Sequence, residues 1–156
     1  MTWTLVTSAH QIAHVLGFNT RHVGADDGGD VPNKKGLLFW VIYYLEKTVC
    51  LRLGCASTVP EFDITVPPPG GIDPGPSPEM TFCHLAVRSA RLAGNVYTEL
   101  YSAQALSLPN DRRHQNVKEL ATELHDIQEL RNFHRVRHSG PSLLAPNQMA
   151  NRSSNL

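Results

Sequence analysis

The chain is short of charge. Only 18% of its 156 residues are Asp, Glu, Lys or Arg, below the roughly 25% of an ordinary globular protein. The two signs balance at 14 each, so no net field draws the chain toward a phosphate backbone or an acidic membrane. Cysteine is scarce as well. Cys50, Cys55 and Cys83 form an odd, irregularly spaced set, which supplies neither a disulfide framework nor a structural zinc site. They read as reduced thiols in an intracellular protein. The N-terminus shows no basic segment followed by an apolar core and a small-residue cleavage site, so a secretory signal is not apparent. A membrane span is missing too: the apolar run 37–45 is about half the ~20 residues a bilayer requires. Glu46, Lys47 and Arg52 interrupt its continuation.

What the chain does contain is helical periodicity. Trp3, Leu5, Val6, Ala9, Ile12, Ala13 and Leu16 recur at helical spacing before Gly17, which predicts a first helix over about 2–16 with a glycine cap. The glycines and aspartates from Gly24 to Asp30 favour an exposed loop. Pro32 and Asn33 then lead into a second helix over about 35–53, ended by Gly54. That helix has hardly any polar face between Leu37 and Leu45, so it is expected to be surrounded by neighbours and to form the centre of the fold.

Beyond it, residues 61–66 alternate polar with apolar, the period of an extended segment lying on the core. The prolines from Pro67 to Pro69, and then Pro74, Pro76 and Pro78, forbid regular structure in the connector. Ser77-Pro78-Glu79 is a strong helix start. From it, Phe82, Leu85, Ala86, Ser89, Leu92, Ala93, Val96, Tyr97 and Leu100 mark one face of a third helix reaching about Leu106. Pro109 breaks that helix and Asn110 is read as the next cap. Val117, Leu120, Leu124 and Ile127 form the apolar stripe of a fourth, with Glu119 and Glu123 facing outward. From Ser139 the composition turns polar, as in a disordered tail. The expected fold is therefore all-α: a packed array of about four main helices over 1–138, with a proline-rich irregular connector and a disordered tail over 139–156.

Side chains that could carry chemistry are few. His10 and His14 stand four apart, as do His134 and His138, the spacing at which two imidazoles can face one zinc ion. Gln11 stands where a metalloprotease helix would carry its glutamate base, so the hydrolase version of this site fails. These residues read as partly exposed helix histidines. Asp26, Asp27 and Asp30 lack the alternating oxygen donors of a calcium loop. Cys50 reads as a small core residue rather than a nucleophile, and Glu46 and Asp63 are too far apart in sequence to be paired as acid and base. No catalytic set stands out, and the chain is read as a non-enzyme needing no metal or other cofactor of its own. The proline run suits a stiff connector better than a polyproline ligand. Trp40, Tyr43 and Tyr44, with Arg52 beyond them, line an effector pocket or form the core, and the sequence leaves both readings open.

The order of residue types resembles the fungal-specific transcription factor domain, the middle homology region of fungal zinc binuclear cluster regulators. Three blocks carry the resemblance between Trp3 and Leu124. They are Trp3-x-Leu5 with Ala9, Ala13 and Leu16-Gly17; Leu38-Phe39-Trp40-x-x-Tyr43 through Leu51-Arg52-Leu53-Gly54, then Phe62-Asp63-Ile64 and Pro67; and Ala90-Arg91-Leu92 through Val96-Tyr97 and Leu100-Tyr101-Ser102. Glu46 stands where the family commonly has aspartate, and Cys55 where it commonly has arginine. Beyond Leu124 the family continues with further helices, so the domain is expected to be C-terminally incomplete.

The resemblance implies a role in transcription regulation in the nucleus. DNA reading and zinc would belong to a separate module, because two bridged zinc ions require six cysteines. Implied partners are other segments or subunits of a regulator, and a small-molecule effector, but neither nucleic acid nor membrane. The alternatives are a helical small-molecule-binding module, a truncated non-functional fragment, or a helical enzyme using His or Cys.

The neutral charge balance predicts that this chain alone does not select a DNA sequence. Fluorescence anisotropy at physiological salt checks this, and selective submicromolar binding would refute it.

Overall fold

A computed structural model of the chain describes residues 2–21, 34–69 and 77–138. The loop expected over 24–30, most of the proline connector and the expected tail lie outside the described residues. Those described contain five α-helices and no strand: α1 Thr2–Val15, α2 Lys34–Leu53, α3 Pro78–Val96, α4 Ala103–Leu106 and α5 Asn110–His138. None is long and apolar enough to cross a membrane.

Local chemistry sets the helix ends. Gly17 and Gly54 hold φ of 70° and 66° after α1 and α2, a left-handed conformation that side chains with a Cβ resist. Ser77 Oγ accepts the Met80 N–H at 3.4 Å at the start of α3, with Pro78 in the first turn. At the start of α5, Pro109 rather than Asn110 stands outside the helix, its carbonyl accepting the Arg113 N–H at 3.1 Å.

The helices stack in order, α1 on α2, α2 on α3 and α3 on α5, and α3 is the wall between two apolar clusters. On one side Val87 and Ala90 meet Phe39, Trp40 and Tyr43 of α2, together with Val59 and Val66. On the other side Leu92 meets Leu120 and Ile127 of α5. Val59 and Val66 belong to a strap, residues 55–69, that follows α2 and lies back across it. Asn19 anchors the far end of the strap: its carbonyl accepts the N–H groups of Thr65 and Val66 at 2.9 and 3.0 Å, and its amide donates to the Asp63 carbonyl at 2.9 Å.

Several expectations change in three dimensions. α2 is not enclosed: Leu38, Val41, Tyr44 and Leu45 are between 38% and 49% exposed. The face it buries carries Phe39, Trp40, Tyr43, Glu46, Lys47 and Cys50, so polar partners and not hydropathy alone choose the inward side. Residues 61–66 are not one extended run, because Glu61–Asp63 forms a 3-10 turn before Ile64 becomes extended.

The third helix does not continue to Leu106. A π-turn spans Tyr97–Tyr101, closed by Ser102 N–H to the Tyr97 carbonyl at 2.9 Å. Ser102 then leaves the helix and caps α4 through its hydroxyl. Phe82 is 72% exposed, and Val117 and Leu124 are about half exposed. Of the expected α3 stripe, Leu92 is buried against α5 with Leu85, Val96 and Leu100 packed beside it, whereas Val87 and Ala90, outside that stripe, give α3 a second buried face toward α2.

Trp40 shows how the first cluster is held. It is 3% exposed, lies edge-on to Tyr43 and Phe39 with ring centroids 5.1 and 5.4 Å away, and donates its indole N–H to the Pro67 carbonyl at 2.9 Å. Trp40→Ala is expected to destabilise the chain by about 3–5 kcal/mol, read from its denaturant midpoint against the parent; an unchanged midpoint would remove Trp40 from the core.

Candidate functional site

Two adjacent charged residues lie inside the molecule, in the middle of α2. Glu46 is 1% and Lys47 5% exposed, and leaving either without partners would be costly. Four donors converge on the Glu46 carboxylate. The Thr58 N–H reaches Oε1 at 2.6 Å, the Thr58 hydroxyl reaches it at 3.0 Å, the Cys50 thiol lies 3.3 Å from the same oxygen, and Ser57 Oγ donates to Oε2 at 2.7 Å. A carboxylate is an acceptor-only group able to satisfy them together. It holds the near end of the strap on α2.

Lys47 reaches the other way. Its Nζ lies 2.9 Å from Glu61 Oε1, 3.4 Å from the Val59 carbonyl and 5.3 Å from the centroid of the Tyr43 ring. The Tyr43 hydroxyl donates to the same Glu61 oxygen at 2.6 Å. Burial first, and then Glu61, push the Tyr43 phenol above its ordinary acidity range. Arg91 of α3 stands 3.9 Å from the other Glu61 oxygen, too loose and exposed to add much. α3 passes Lys47 at Gly94, where a Cβ would stand 3.1 Å from Lys47 Cδ. A side chain there would push the lysine aside.

The third wall is α1. His10 is 4% exposed, contrary to the partly exposed histidine expected from sequence. Neither of its ring nitrogens has a hydrogen-bond partner. Burial lowers its pKa from 6.5, opposed by the nearby Glu46 charge and assisted by His14 and Lys47. His14 is exposed, with its ring centroid 6.0 Å from that of His10. No group of three or more His, Cys, Asp or Glu side chains among the described residues could hold a metal ion. The His138 side chain lies outside them, as do Asp26, Asp27 and Asp30.

Of the four residues singled out as pocket or core, Trp40 and Tyr43 are in the core, whereas Tyr44 is 38% exposed and Arg52 is exposed. Asp63 is exposed and meets Asn19 through its carbonyl. The residues that sequence reasoning passed over are Lys47, His10 as a buried group, Ser57 and Thr58. One signal was present: a Glu-Lys pair inside an apolar run, followed eleven and twelve residues after Glu46 by hydroxyl side chains.

In this centre hydrogen bonds and an ion pair join α2 to the strap, and α1 and α3 pack on α2 beside it. A buried thiol and a phenol whose protons are held more tightly than usual lack the activation that a substrate-attacking catalytic nucleophile requires.

Proteins similar to this chain are fungal transcription factors. The negative regulator of pleiotropic drug resistance STB5 of Candida glabrata is 26% identical over 134 residues, covering 82% of this chain and 13% of the relative. An ABC-transporter-regulating transcription factor of Aspergillus fumigatus is 28% identical over 131 residues, covering 78% and 15% respectively. Protein STB5 of Saccharomyces cerevisiae is 27% identical over 92 residues, covering 58% and 12%. The chain thus spans between 12% and 15% of the length of these relatives. No family model matches the chain, and no solved structure matches it significantly.

A histidine with a depressed pKa resists protonation in the folded chain while the unfolded chain accepts the proton, so its contribution to stability is lost as pH falls through 6.5. The parent is expected to be less stable at about pH 5.5 than at about pH 7.5. His10→Phe, which removes the buried unpartnered imidazole, is expected to narrow that difference in urea midpoints. An equal difference in parent and variant would show that His10 does not titrate with folding.

Proposed function

We propose that this chain is a regulatory segment of a fungal transcription regulator, of the middle homology type, acting in the nucleus. The observation that carries the reading is the likeness to a fungal negative regulator of pleiotropic drug resistance across 82% of the chain. The chain has no net charge, which fits a segment that leaves DNA, and the zinc that shapes a DNA-reading module, to another part of the protein. The relatives' names point to genes for ABC transporters as the class under control.

In this reading the strap is the moving part. It is held to α2 by Glu46, Lys47 and Trp40 through contacts that can be exchanged. A small-molecule effector, or another segment of the regulator, that binds one arrangement of the strap better shifts the population toward it. Output then passes to the DNA-reading and activating parts.

A fusion of the chain to a heterologous DNA-reading module, with a reporter gene, tests this. The parent fusion is expected to change reporter output relative to the DNA module alone, and Trp40→Ala, at matched protein level, is expected to abolish that change. Equal output from the parent fusion, the variant fusion and the bare module would overturn the regulatory reading.

A further inference from the structure

The end of α2 brings two cysteines together. The Gly54 N–H bonds to the Leu51 carbonyl at 3.2 Å, and the Cys55 N–H bonds back to the Cys50 carbonyl at 3.0 Å. This is the double closure made around a left-handed residue at a helix C-terminus. In that closure the residue after the left-handed position frequently packs its side chain against the residue that accepts its N–H or the one before it. Here those two residues are Cys55 and Cys50. The Cys55 thiol also points back at the Cys50 carbonyl, 3.6 Å away.

The two differ in access. Cys50 is 2% exposed and Cys55 is half-buried. Burial, assisted by Glu46, pushes the Cys50 thiol up to about 12. Cys50 is therefore poorly suited to meet an oxidant first, and Cys55 is the accessible member.

We propose that Cys50 and Cys55 are a reversible dithiol/disulfide site, oxidised by a hydroperoxide, at the C-terminal closure of α2. The Cys55 thiolate attacks one peroxide oxygen, the O–O bond breaks, and hydroxide or alkoxide leaves. Cys55 becomes a sulfenic acid, oxidised by two electrons as the peroxide is reduced. Cys50 sulfur then attacks Cys55 sulfur, so that the S–S bond forms and the S–O bond breaks. The Cys50 proton passes to Glu46 Oε1, 3.3 Å from the thiol, and then to the departing hydroxide, which leaves as water. A small dithiol reverses the reaction by thiol–disulfide exchange. Oxidation takes one of the four donors from Glu46 and ties the first residue of the strap to α2, so the redox state acts directly on the strap. The chemistry of this site stands independently of the transcriptional reading.

The test uses the whole chain, treated with hydrogen peroxide, alkylated and read by mass spectrometry, with non-reducing electrophoresis alongside. The parent is expected to lose two of its three thiols and remain a single chain. The segment bearing Cys50 and Cys55 is expected to be lighter by two hydrogens, and dithiothreitol should restore it. Cys83→Ser should lose the same pair. Cys55→Ser, at a half-buried position and with helical circular dichroism confirming its fold, should keep Cys50 alkylatable. Cys50→Ala should leave Cys55 as a sulfenic acid trapped by a dimedone probe. Alkylatable Cys50 in a parent whose Cys55 is oxidised would overturn the proposal, as would a disulfide found between two chains.

Discussion

The structure depends on keeping two opposite charges dry in the middle of α2. Glu46 and Lys47 are adjacent in sequence but reach toward different parts of the strap, Glu46 to Ser57 and Thr58, Lys47 to Val59 and Glu61. Desolvating two charges is tolerable only when hydrogen bonds replace the water they lose. Here the strap supplies those bonds. Its path is consequently dictated by the needs of Glu46 and Lys47, and Trp40 and Asn19 fix what remains of it through the Pro67 and Asp63 carbonyls.

From that constraint the apolar packing takes its form. Once the strap is seated, Val59 and Val66 complete a cluster with Phe39, Trp40, Tyr43, Val87 and Ala90. α3 is thereby committed to α2 on one side, leaving Leu92 to receive Leu120 and Ile127 of α5. Gly94 lets α3 pass Lys47 without displacing it. The polar centre and the apolar clusters are thus parts of one packing solution, and a change at the strap is felt by α2 and α3 together.

Much of this was legible in the residue order. The caps at Gly17, Gly54 and Ser77 placed three helix ends close to where they fall, because each rests on a local backbone or hydroxyl preference. The all-α class followed from periodicity, and the likeness to fungal transcription factors from the aromatic and aliphatic order of α2 with its flanking helices. The exposed side of α2 was not legible. Leu38, Val41 and Leu45 are as apolar as the residues it buries, so hydropathy could not tell which side turns inward. Ser102, which ends the π-turn and starts α4, also looked like an ordinary residue within a helical run.

By itself, then, the sequence determined the all-α class, the helix ends at Gly17, Gly54 and Ser77 and the kind of protein this chain is similar to, since these depend on local geometry and on residue order. Only the tertiary structure decided that Glu46, Lys47 and His10 lie buried, that the strap crosses α2, and that Cys55 meets Cys50 at the helix closure. The physical reason is that burial of a polar side chain depends on partners brought from elsewhere in the chain. Thr58, Glu61 and Val59 become partners of α2 only when the strap folds back.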